Sequence, residues 1–374
     1  MKKFTLTLFP VLIAASIMTN RSFDRLQKGT GDTRPYDGPY VLYSNDQVFV
    51  KYVMDNGGVK SVKIDSMPLS QRSAISLVVG TDEPGKTFSF PLKKELENEK
   101  TEYPGVSKQF ILSDIEGNFK AFRKLLMAGG VIDENFNWTF GDGHLVLTGD
   151  FFDRGTQVTE VLWLIYSLED KAKAAGGYVH FVLGNHEIMN LSGDTRYVQP
   201  KYFETASLVK GNYIMLYNEN SELGRWLRTK NIMEKVGDIL FMHGGISPAM
   251  NRMNIPVSGV SSMARPYYAD STFIYPDPRI DTLYSDLGPF WYRGYYTGSP
   301  KASSADVDNT LAAYGVKHIA TGHTVIADTI SVLFKGKVFN TDVHHAGGHS
   351  EALLLENGKY YRVSGLGEKF LVLE

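Results

Sequence analysis

Five short apolar segments of the sequence are each followed by a residue that commonly binds metal ions. The segments are QFIL, HLVL, YVHFVL, DILFM and HIAT, and the residues that follow them are aspartate, asparagine or histidine. Oxygen and imidazole donors together suit Mn, Fe, Zn or Mg better than a metal that prefers sulfur. The sequence therefore predicts a metal site built from side chains that are far apart along the chain. The candidate ligands are Asp114, Asp150, Asn185, His243 and His323.

The number of these donors favours a pair of divalent metal ions. Asp114 and Glu116 are two residues apart on a predicted turn, so both side chains can reach one ion. Asp150 could bridge this ion to a second one through its two carboxylate oxygens. Two ions about 3.5–4 Å apart can clamp a phosphate and generate a hydroxide for in-line attack. The candidates for the second ion are Asn185, His243 and His323.

The segment LTGDFFDRG places Asp153 and Arg154 directly beyond one of these strands. The planar guanidinium of Arg154 could grip two phosphate oxygens at once. Asp153 could orient His186, so that the imidazole donates a proton to the leaving group. Taken alone, Asp153 and Arg154 would be an ordinary surface ion pair of little consequence. We favour the catalytic interpretation because the remaining candidates follow in order along the chain.

The candidate residues need strands that end at a common edge. Phe119, Phe122, Leu125 and Leu126 recur at helical spacing after the first apolar segment, and Gly129-Gly130 can end that helix. Buried strands that alternate with helices indicate an α/β domain. In open α/β sheets the functional crevice lies beyond the carboxyl ends of the strands. A second helix is predicted from the apolar face of Val158, Val161, Leu162, Ile165 and Leu168.

The first part of the chain has a different character. Residues 1–20 have two lysines, an apolar stretch and small residues near its end, which is typical of a cleaved signal peptide. Residues 21–105 are predicted to be a β-rich N-terminal extension and linker, and residues 106–374 the main domain. We therefore expect an exported protein, periplasmic or secreted; a retained anchor is the less favoured possibility. The absence of cysteine excludes disulfides and a lipid-modified cysteine.

The composition narrows the class of protein further. The 374 residues are 43% hydrophobic and 21% charged, as in ordinary globular proteins. The net charge of −2 gives no global positive field for nucleic acid, so we expect no nucleic-acid partner. We also expect no stable membrane span after signal cleavage, since the apolar stretch is short.

The motifs SDIEGN, GDFFDRG, GNHE, MHGGIS and TGHT, in that order, resemble those of calcineurin-like metallophosphoesterases. DRG with GNHE resembles the phosphoprotein phosphatase branch, and MNLSGDTRYV, SELGRWLRTKN and GPFWYRGY resemble the Shewanella-like protein phosphatases. The resemblance implies a four-layer α/β/β/α sandwich and direct hydrolysis of phosphate esters with two divalent ions. It also implies that Asp114 and Asp150 hold the first ion and that Asp150 is shared with the second. Further implied roles are His186 as general acid with Asp153 as its partner, and phosphate binding by Arg154, Asn185 and Arg293.

One position departs from the family pattern. The family has histidine where this chain has Glu116. Both side chains have a similar reach, but Glu116 would add a third carboxylate to the first ion, which favours a harder ion such as Mn or Mg. We expect an active enzyme with altered metal preference, and the rival hypothesis is a weakened or non-catalytic relative.

The substrate and a second polar cluster each allow more than one interpretation. The expected substrate is a phosphorylated protein, on tyrosine or on serine/threonine, or else a small phosphate ester. A dinucleoside polyphosphate hydrolase and a non-enzymatic binding protein of the cell envelope are the rival functions. Arg293 has a rival role, in which it stacks on a neighbouring tryptophan. A polar loop between C-terminal strands is the favoured interpretation of Asp342, His344, His345 and His349, and one of these histidines could still line the pocket.

Overall fold

The computed structural model describes residues 33–374, and the predicted signal peptide at residues 1–20 lies outside the described residues. The strands are β1 Thr33–Ser44, β2 Gln47–Asn56, β3 Val59–Pro68, β4 Ser76–Gly80, β5 Thr87–Pro91, β6 Glu102–Tyr103, β7 Lys108–Leu112, β8 His144–Leu147, β9 Tyr178–Phe181, β10 Met233–Val236, β11 Ile239–Met242, β12 His318–Thr321, β13 Ser331–Leu333, β14 Val338–Asn340, β15 Glu351–Glu356, β16 Lys359–Ser364 and β17 Lys369–Leu373. The α-helices are α1 Phe119–Ala128, α2 Val158–Ala174, α3 Asn185–Ser192, α4 Pro200–Leu208, α5 Glu222–Leu227, α6 Pro248–Arg252, α7 Val257–Ala264, α8 Pro278–Tyr284 and α9 Ser304–Tyr314. Short 3₁₀ helices lie at Leu69–Ala74, Tyr213–Leu216, Arg265–Tyr267, Phe334–Gly336 and His345–Gly347.

Two six-stranded sheets form the centre of the fold. The first has the order β17-β16-β15-β7-β8-β9, and the second has the order β13-β14-β12-β11-β10-β6. Strands β7, β8 and β9 run parallel to one another in the first sheet, as do β11, β12 and β14 in the second. The carboxyl ends of each parallel set therefore meet at one edge.

Successive residues of each strand face opposite sides of the sheet, and this alternation explains why the two sheets are stacked. Ile111 and Val146 of the first sheet share a buried cluster with Phe241 and Ala320 of the second. Their neighbours along the strands face away from this cluster and pack with helical residues instead. This pattern gives an inner layer between the sheets and helices outside them, with α2 against β9 and α7 against β10. The prediction of an α/β/β/α sandwich is confirmed.

Helix α2 shows one difference from the prediction. The sequence pattern gave it a single apolar face, but Trp163, Leu164 and Tyr166 on its other side are buried too. Strands β1, β4 and β5 pack against the helix there, and the Trp163 indole donates a hydrogen bond to the Pro39 carbonyl at 2.8 Å. The β-rich region therefore covers the helix layer of the main domain rather than standing apart from it.

Strands β1, β2 and β3 form an antiparallel sheet with turns at Asn45-Asp46 and Gly57-Gly58, in the region predicted to be β-rich. The segment after β5 belongs to the predicted linker, and it contains no helix between residues 92 and 107. Instead, β6 joins the second sheet beside β10. Lys93 is buried and pairs with Glu169 on α2 at 3.2 Å, which ties this segment to the domain.

A membrane-spanning helix would have to be long and apolar, and none of the helices within residues 33–374 meets both conditions.

Candidate metal and phosphate site

The predicted site residues come together where the parallel strands of both sheets end. A cavity of about 590 Å³ opens at this edge. Asp153 and His243 are buried beside it, with 2% and 0% of their surfaces exposed. The remaining predicted residues line it directly: Asp114, Glu116, Asp150, Arg154, Asn185, His186, Arg293 and His323.

Asp150, His243 and His323 form the tightest group, with one ligand atom from each lying within 4.8 Å of the others. His243 Nε2 is 3.0 Å from an Asp150 oxygen and 3.0 Å from the Asn185 amide oxygen. Nδ1 of His243 donates to the Thr148 carbonyl at 2.7 Å, which orients Nε2 toward this group. An imidazole held in this way by a carbonyl is the usual arrangement of a metal-binding histidine.

An unpaired nitrogen indicates what this group binds. Nε2 of His323 is buried and has no hydrogen-bond partner within the described residues. An unsatisfied buried polar atom costs about 1–3 kcal/mol, so such atoms are rare without a ligand. Imidazole nitrogens with carboxylate and amide oxygens suit a divalent ion such as Mn, Fe or Zn. The residues therefore fit the divalent metal ions that were predicted, although their assignment as ligands stays a prediction.

The electrostatics of the group favour a cation. Burial alone lowers the pKa of His243, but the negative charge of Asp150 outweighs burial and raises this pKa to about 10. Burial alone raises the pKa of Asp150, and the positive charges of His243 and His186 bring it below its usual value. A metal ion that binds Nε2 of His243 must therefore displace a proton, so metal affinity rises with pH.

Further carboxylates line the same cavity. Asp114 accepts a hydrogen bond from the His323 backbone at 3.1 Å and is buried. Burial, with the charge of Asp150, raises the pKa of Asp114 to about 6 against the opposing charge of His243. Glu116 is less buried and forms an ion pair with Arg154. The sequence did not predict this ion pair. It joins Glu116, which stands where the family has histidine, to Arg154, which was predicted to bind phosphate.

The backbone at these positions is strained. Asp114, Glu116, Asp150, Asp153 and His323 have φ angles of 53°, 49°, 63°, 67° and 67°. Residues other than glycine rarely adopt this left-handed conformation, and it costs about 1–3 kcal/mol each. Such strain clusters at functional sites because it aims side chains that relaxed loops would turn elsewhere.

Two glycines allow the loops to approach the carboxylates closely. A Cβ at Gly184 would collide with an Asp150 carboxylate oxygen, and a Cβ at Gly322 would collide with an Asp114 carboxylate oxygen. Close approach therefore explains why glycine stands immediately before Asn185 and before His323.

Glu187 fixes two of the strand ends relative to each other. Its carboxylate accepts hydrogen bonds from the backbone nitrogens of Asp150, Phe151 and Gly184 at 2.9, 2.7 and 2.7 Å. Burial, together with the charge of Asp150, raises its pKa to about 7. Glu187 therefore holds the loop after β8 against the start of α3, which carries Asn185.

His186 has the contacts of a general acid. Its Nδ1 donates to Asp153 at 2.6 Å, and its Nε2 faces the cavity, 3.8 Å from an Asp150 oxygen. The Asn190 amide donates to the same Asp153 oxygen at 2.9 Å, which fixes the acceptor. Although burial lowers the pKa of His186, the charges of Asp150 and Asp153 raise it above its usual value. A protonated imidazole at neutral pH is what proton donation requires.

The two predicted phosphate-binding arginines are held differently. Arg154 lines the cavity with half of its side chain exposed and lies 5.3 Å from the Tyr197 ring. Arg293 donates through Nη1 to the His323 carbonyl at 2.6 Å and to the Thr324 hydroxyl at 2.9 Å. Hydrogen bonds of this kind, rather than stacking on the neighbouring tryptophan, position Arg293 at the cavity.

The second polar cluster divides into two parts. It lies in a loop between β14 and β15, as predicted, and His349 is exposed and pairs with Glu351 at 3.2 Å. Asp342, His344 and His345 line the cavity, so two histidines of this loop lie there where the sequence pattern had left a place for one. The reason is that β14 ends at the same edge as β12, which directs the following residues toward the site.

Sequence reasoning missed several residues of the site. Asn190 lies one helical turn after His186, so its i, i+4 spacing could have indicated it. Glu187 was part of a motif but received no role. Tyr197 and Trp291 line the cavity, and both lie in segments that resemble the family, MNLSGDTRYV and GPFWYRGY, but neither received a role.

Comparisons with known proteins agree with this geometry. Residues 108–327 match the model of the calcineurin-like phosphoesterase family. The structure of a cold-active protein tyrosine phosphatase from a psychrophilic Shewanella species superposes with a TM-score of 0.81 and 35% sequence identity, over 90% of this chain and 99% of that one.

Two further relatives are Shewanella-like protein phosphatases. Phosphatase 2 of Arabidopsis thaliana is 24% identical over 65% of this chain and 72% of its own length. Phosphatase 1 of Plasmodium berghei is 27% identical over 58% of this chain and 61% of its own length. The family match spans more than half of the chain and contains the strand ends described above. The chain therefore belongs to the calcineurin-like phosphoesterase family and is a hydrolase of phosphate esters.

Proposed function

We propose that the protein is a phosphatase for phosphotyrosine residues of proteins and peptides. The observation that carries this proposal is that His186, backed by Asp153, faces the same cavity as Arg154 and the group of Asp150, His243 and His323. A proton donor, a phosphate-binding cation and a metal site are thus within one pocket. The similarity to a tyrosine phosphatase over 90% of the chain supports the choice of substrate.

The aromatic side chains that line the cavity also support an aromatic leaving group. Tyr197 and Trp291 line the cavity, and Tyr197 is 43% exposed. Aromatic rings contact one another favourably in offset or edge-to-face geometry. A phosphotyrosine ring would lie among these side chains while its phosphate reaches Arg154.

The chain's own residues account for two parts of the reaction, phosphate binding and proton donation. Arg154 and Arg293 bind and orient the phosphate, with Arg154 exchanging its ion pair to Glu116 for the substrate. His186 donates its Nε2 proton to the leaving phenolic oxygen, and Asp153 holds the resulting imidazole in place. Two divalent ions, held by the carboxylate, amide and imidazole groups, would activate the attacking water and neutralise phosphate charge.

We propose Mn²⁺ as the preferred metal ion. Asp114, Glu116 and Asp150 offer carboxylates where the family pattern includes a histidine, and oxygen-rich sites suit harder ions. Imidazoles are present as well, through His243 and His323, and Mn²⁺ accepts both kinds of donor.

The test is hydrolysis of matched phosphopeptides that carry phosphotyrosine, phosphoserine or phosphothreonine in one sequence. A dinucleoside polyphosphate serves as the rival substrate. We expect the highest kcat/KM on the phosphotyrosine peptide with Mn²⁺, and a loss of about 10²–10⁴-fold in His186→Asn. Preferential turnover of the dinucleoside polyphosphate would instead support a nucleotide hydrolase, and metal binding without turnover of any substrate would support a binding protein.

We also propose that the protein is exported. This proposal rests on the basic and apolar pattern of residues 1–20. Expression with and without these residues, followed by cell fractionation, tests it. Recovery of the full chain in the cytoplasm, unprocessed, would contradict export.

A further inference from the structure

Asp342 is a carboxylate at a sixth strand end. Strand β14 runs parallel to β12, and their paired residues include Thr321 with Asn340. Asp342 follows two residues later, as His323 follows Thr321. It is only 6% exposed, and it lines the same cavity as Asp114 and Asp150.

The loop that carries Asp342 is held in place, but its carboxylate is not. The Asp342 backbone nitrogen donates to the Asn340 side chain at 2.9 Å, and the Asn340 amide donates to the Thr324 carbonyl at 2.7 Å. Within residues 33–374, the structure shows neither a hydrogen bond nor an ion pair to the Asp342 carboxylate itself. A carboxylate that is more than nine-tenths buried normally has several partners, because desolvation of the charge is costly.

The surroundings of Asp342 are strongly negative. Burial and the charge of Asp114 raise the pKa of Asp342 to about 9. The nearby arginines hydrogen-bond or pair with other groups: Arg293 donates to His323 and Thr324, and Arg154 pairs with Glu116. The charges of His243 and Arg293 oppose the rise in the pKa of Asp342 without cancelling it.

We infer that Asp342 is an additional carboxylate of the metal site, which binds the ion held by Asp114 and Asp150. This inference rests on the proposed function, since it assumes that the cavity binds divalent ions. The three carboxylates follow the ends of β7, β8 and β14, on both sheets, and would hold the ion from these positions. A further carboxylate also fits the observation that Glu116 faces Arg154 rather than Asp114.

The test compares Asp342→Asn with the wild-type chain, with Asp114→Asn and with Asp238→Asn. Asp238 is an exposed carboxylate at the turn between β10 and β11, so its variant loses one negative charge away from the cavity. Each protein is stripped with a chelator, and Mn²⁺ binding is measured by titration calorimetry. Thermal unfolding is recorded without metal and at saturating Mn²⁺.

We expect Asp342→Asn to weaken binding of one Mn²⁺ by at least about 10-fold. Its metal-free Tm should rise by roughly 2 °C or more, because an uncompensated buried carboxylate has been removed. The Asp238→Asn control should match the wild type in both measurements. A purely structural role for Asp342 would instead lower the metal-free Tm.

Unchanged Mn²⁺ affinity in Asp342→Asn would overturn the inference, and so would a metal-free Tm that falls. The proposed function is tested separately, by the wild type and by Asp114→Asn. If the wild type bound no Mn²⁺, or if Asp114→Asn bound it normally, the metal site itself would be wrongly placed.

Discussion

Two buried groups of histidines and carboxylates can be compared in this molecule: the candidate metal site and a second group at another edge of the sheets. At the lateral edge, where β9 faces β10 and β6, we define the edge cluster as His144, His180, Glu234, Tyr103 and Tyr178. His180 lies 2.7 Å from Glu234 through Nδ1 and 2.9 Å from His144 through Nε2. The second Glu234 oxygen accepts from an asparagine at 2.9 Å, and the two tyrosine hydroxyls are 3.0 Å apart.

The edge cluster is complete, whereas the metal site is not. His144 can donate to His180 and His180 to Glu234, so neutral imidazoles satisfy the whole chain of hydrogen bonds. At the metal site, His323 Nε2 has no partner among the described residues, and the carboxylates of Asp114 and Asp342 repel each other. The comparison teaches that residue type does not distinguish a structural from a functional histidine. The features that distinguish them are a buried polar atom without a hydrogen-bond partner, left-handed backbone and an adjoining cavity.

The largest expected effect separates the two groups by activity. His323→Ala should reduce kcat/KM by more than about 100-fold, because a ligand of the proposed metal site is lost. His180→Ala should leave the rate per folded molecule within a few-fold of the wild type, since no edge-cluster residue lines the cavity. Its effect falls on stability instead. We expect a loss of about 3 kcal/mol in the free energy of unfolding, because Glu234 and His144 lose buried partners.

Phosphatase assays and chemical denaturation of metal-free protein check this pair of variants. His323→Ala should lose less stability than His180→Ala, since it leaves no hydrogen-bonding atom without its partner. Equal losses of stability in the two variants would remove the distinction between a complete and an incomplete cluster.

The next effect concerns how His186, the proposed general acid, is held. In Asp153→Asn, His186 loses the charge that raises its pKa and the acceptor that fixes its tautomer. We expect kcat to fall by about 10²–10⁴-fold. Because the acid must be protonated, the alkaline limb of the kcat–pH profile should also move to lower pH. A fall in kcat with an unmoved alkaline limb would show that Asp153 has only a structural role.

Much of this site could be predicted from the sequence, because strand ends are local features. Each of Asp114, Asp150 and His243 lies within three residues of the end of a short apolar run, and parallel strands must bring such positions to one edge. The ion pair between Glu116 and Arg154 could not be predicted, since it depends on how two loops from different strands meet. His144 and His180 are histidines whose structural role the sequence could not predict. They sit within apolar runs as well, but only the fold reveals that Glu234 completes their hydrogen bonds.

The two regions should also respond oppositely to acid in the metal-free protein. Burial and His180 lower the pKa of His144 to about 4 from an ordinary 6.5, so the unfolded chain binds more protons between these values. Stability is therefore lost as pH falls from about 6.5 toward 4. The pKa of Asp114 is raised to about 6 from 3.8, so this carboxyl contributes stability as pH falls over the same interval.

The free energy of unfolding of metal-free protein, measured at several pH values between about 4.5 and 7, tests the contributions of His144 and Asp114. As the pH falls, the free energy of unfolding of His144→Gln should decline less steeply than that of the wild type. The free energy of unfolding of Asp114→Asn should decline more steeply. Parallel curves for all three proteins would mean that neither group titrates as its surroundings indicate.

The smallest expected effect arises at Glu116, the residue that departs from the family pattern. Glu116→His removes the ion pair with Arg154 and replaces a carboxylate by an imidazole at the edge of the metal site. Since softer donors favour Zn²⁺ or Fe²⁺ over Mn²⁺ and Mg²⁺, the ratio of the rate with Zn²⁺ to the rate with Mn²⁺ should rise by about 10-fold.

Glu116→Gln is the matched control, because it abolishes the charge without offering a nitrogen ligand of the same kind. If the control frees Arg154, it should lower the KM for substrate without reversing metal preference. A Glu116→His enzyme whose rate and metal preference both equal the wild type would show that Glu116 serves Arg154 alone and is not a metal ligand. The metal site would then depend on the buried carboxylates, which the strand ends hold in place.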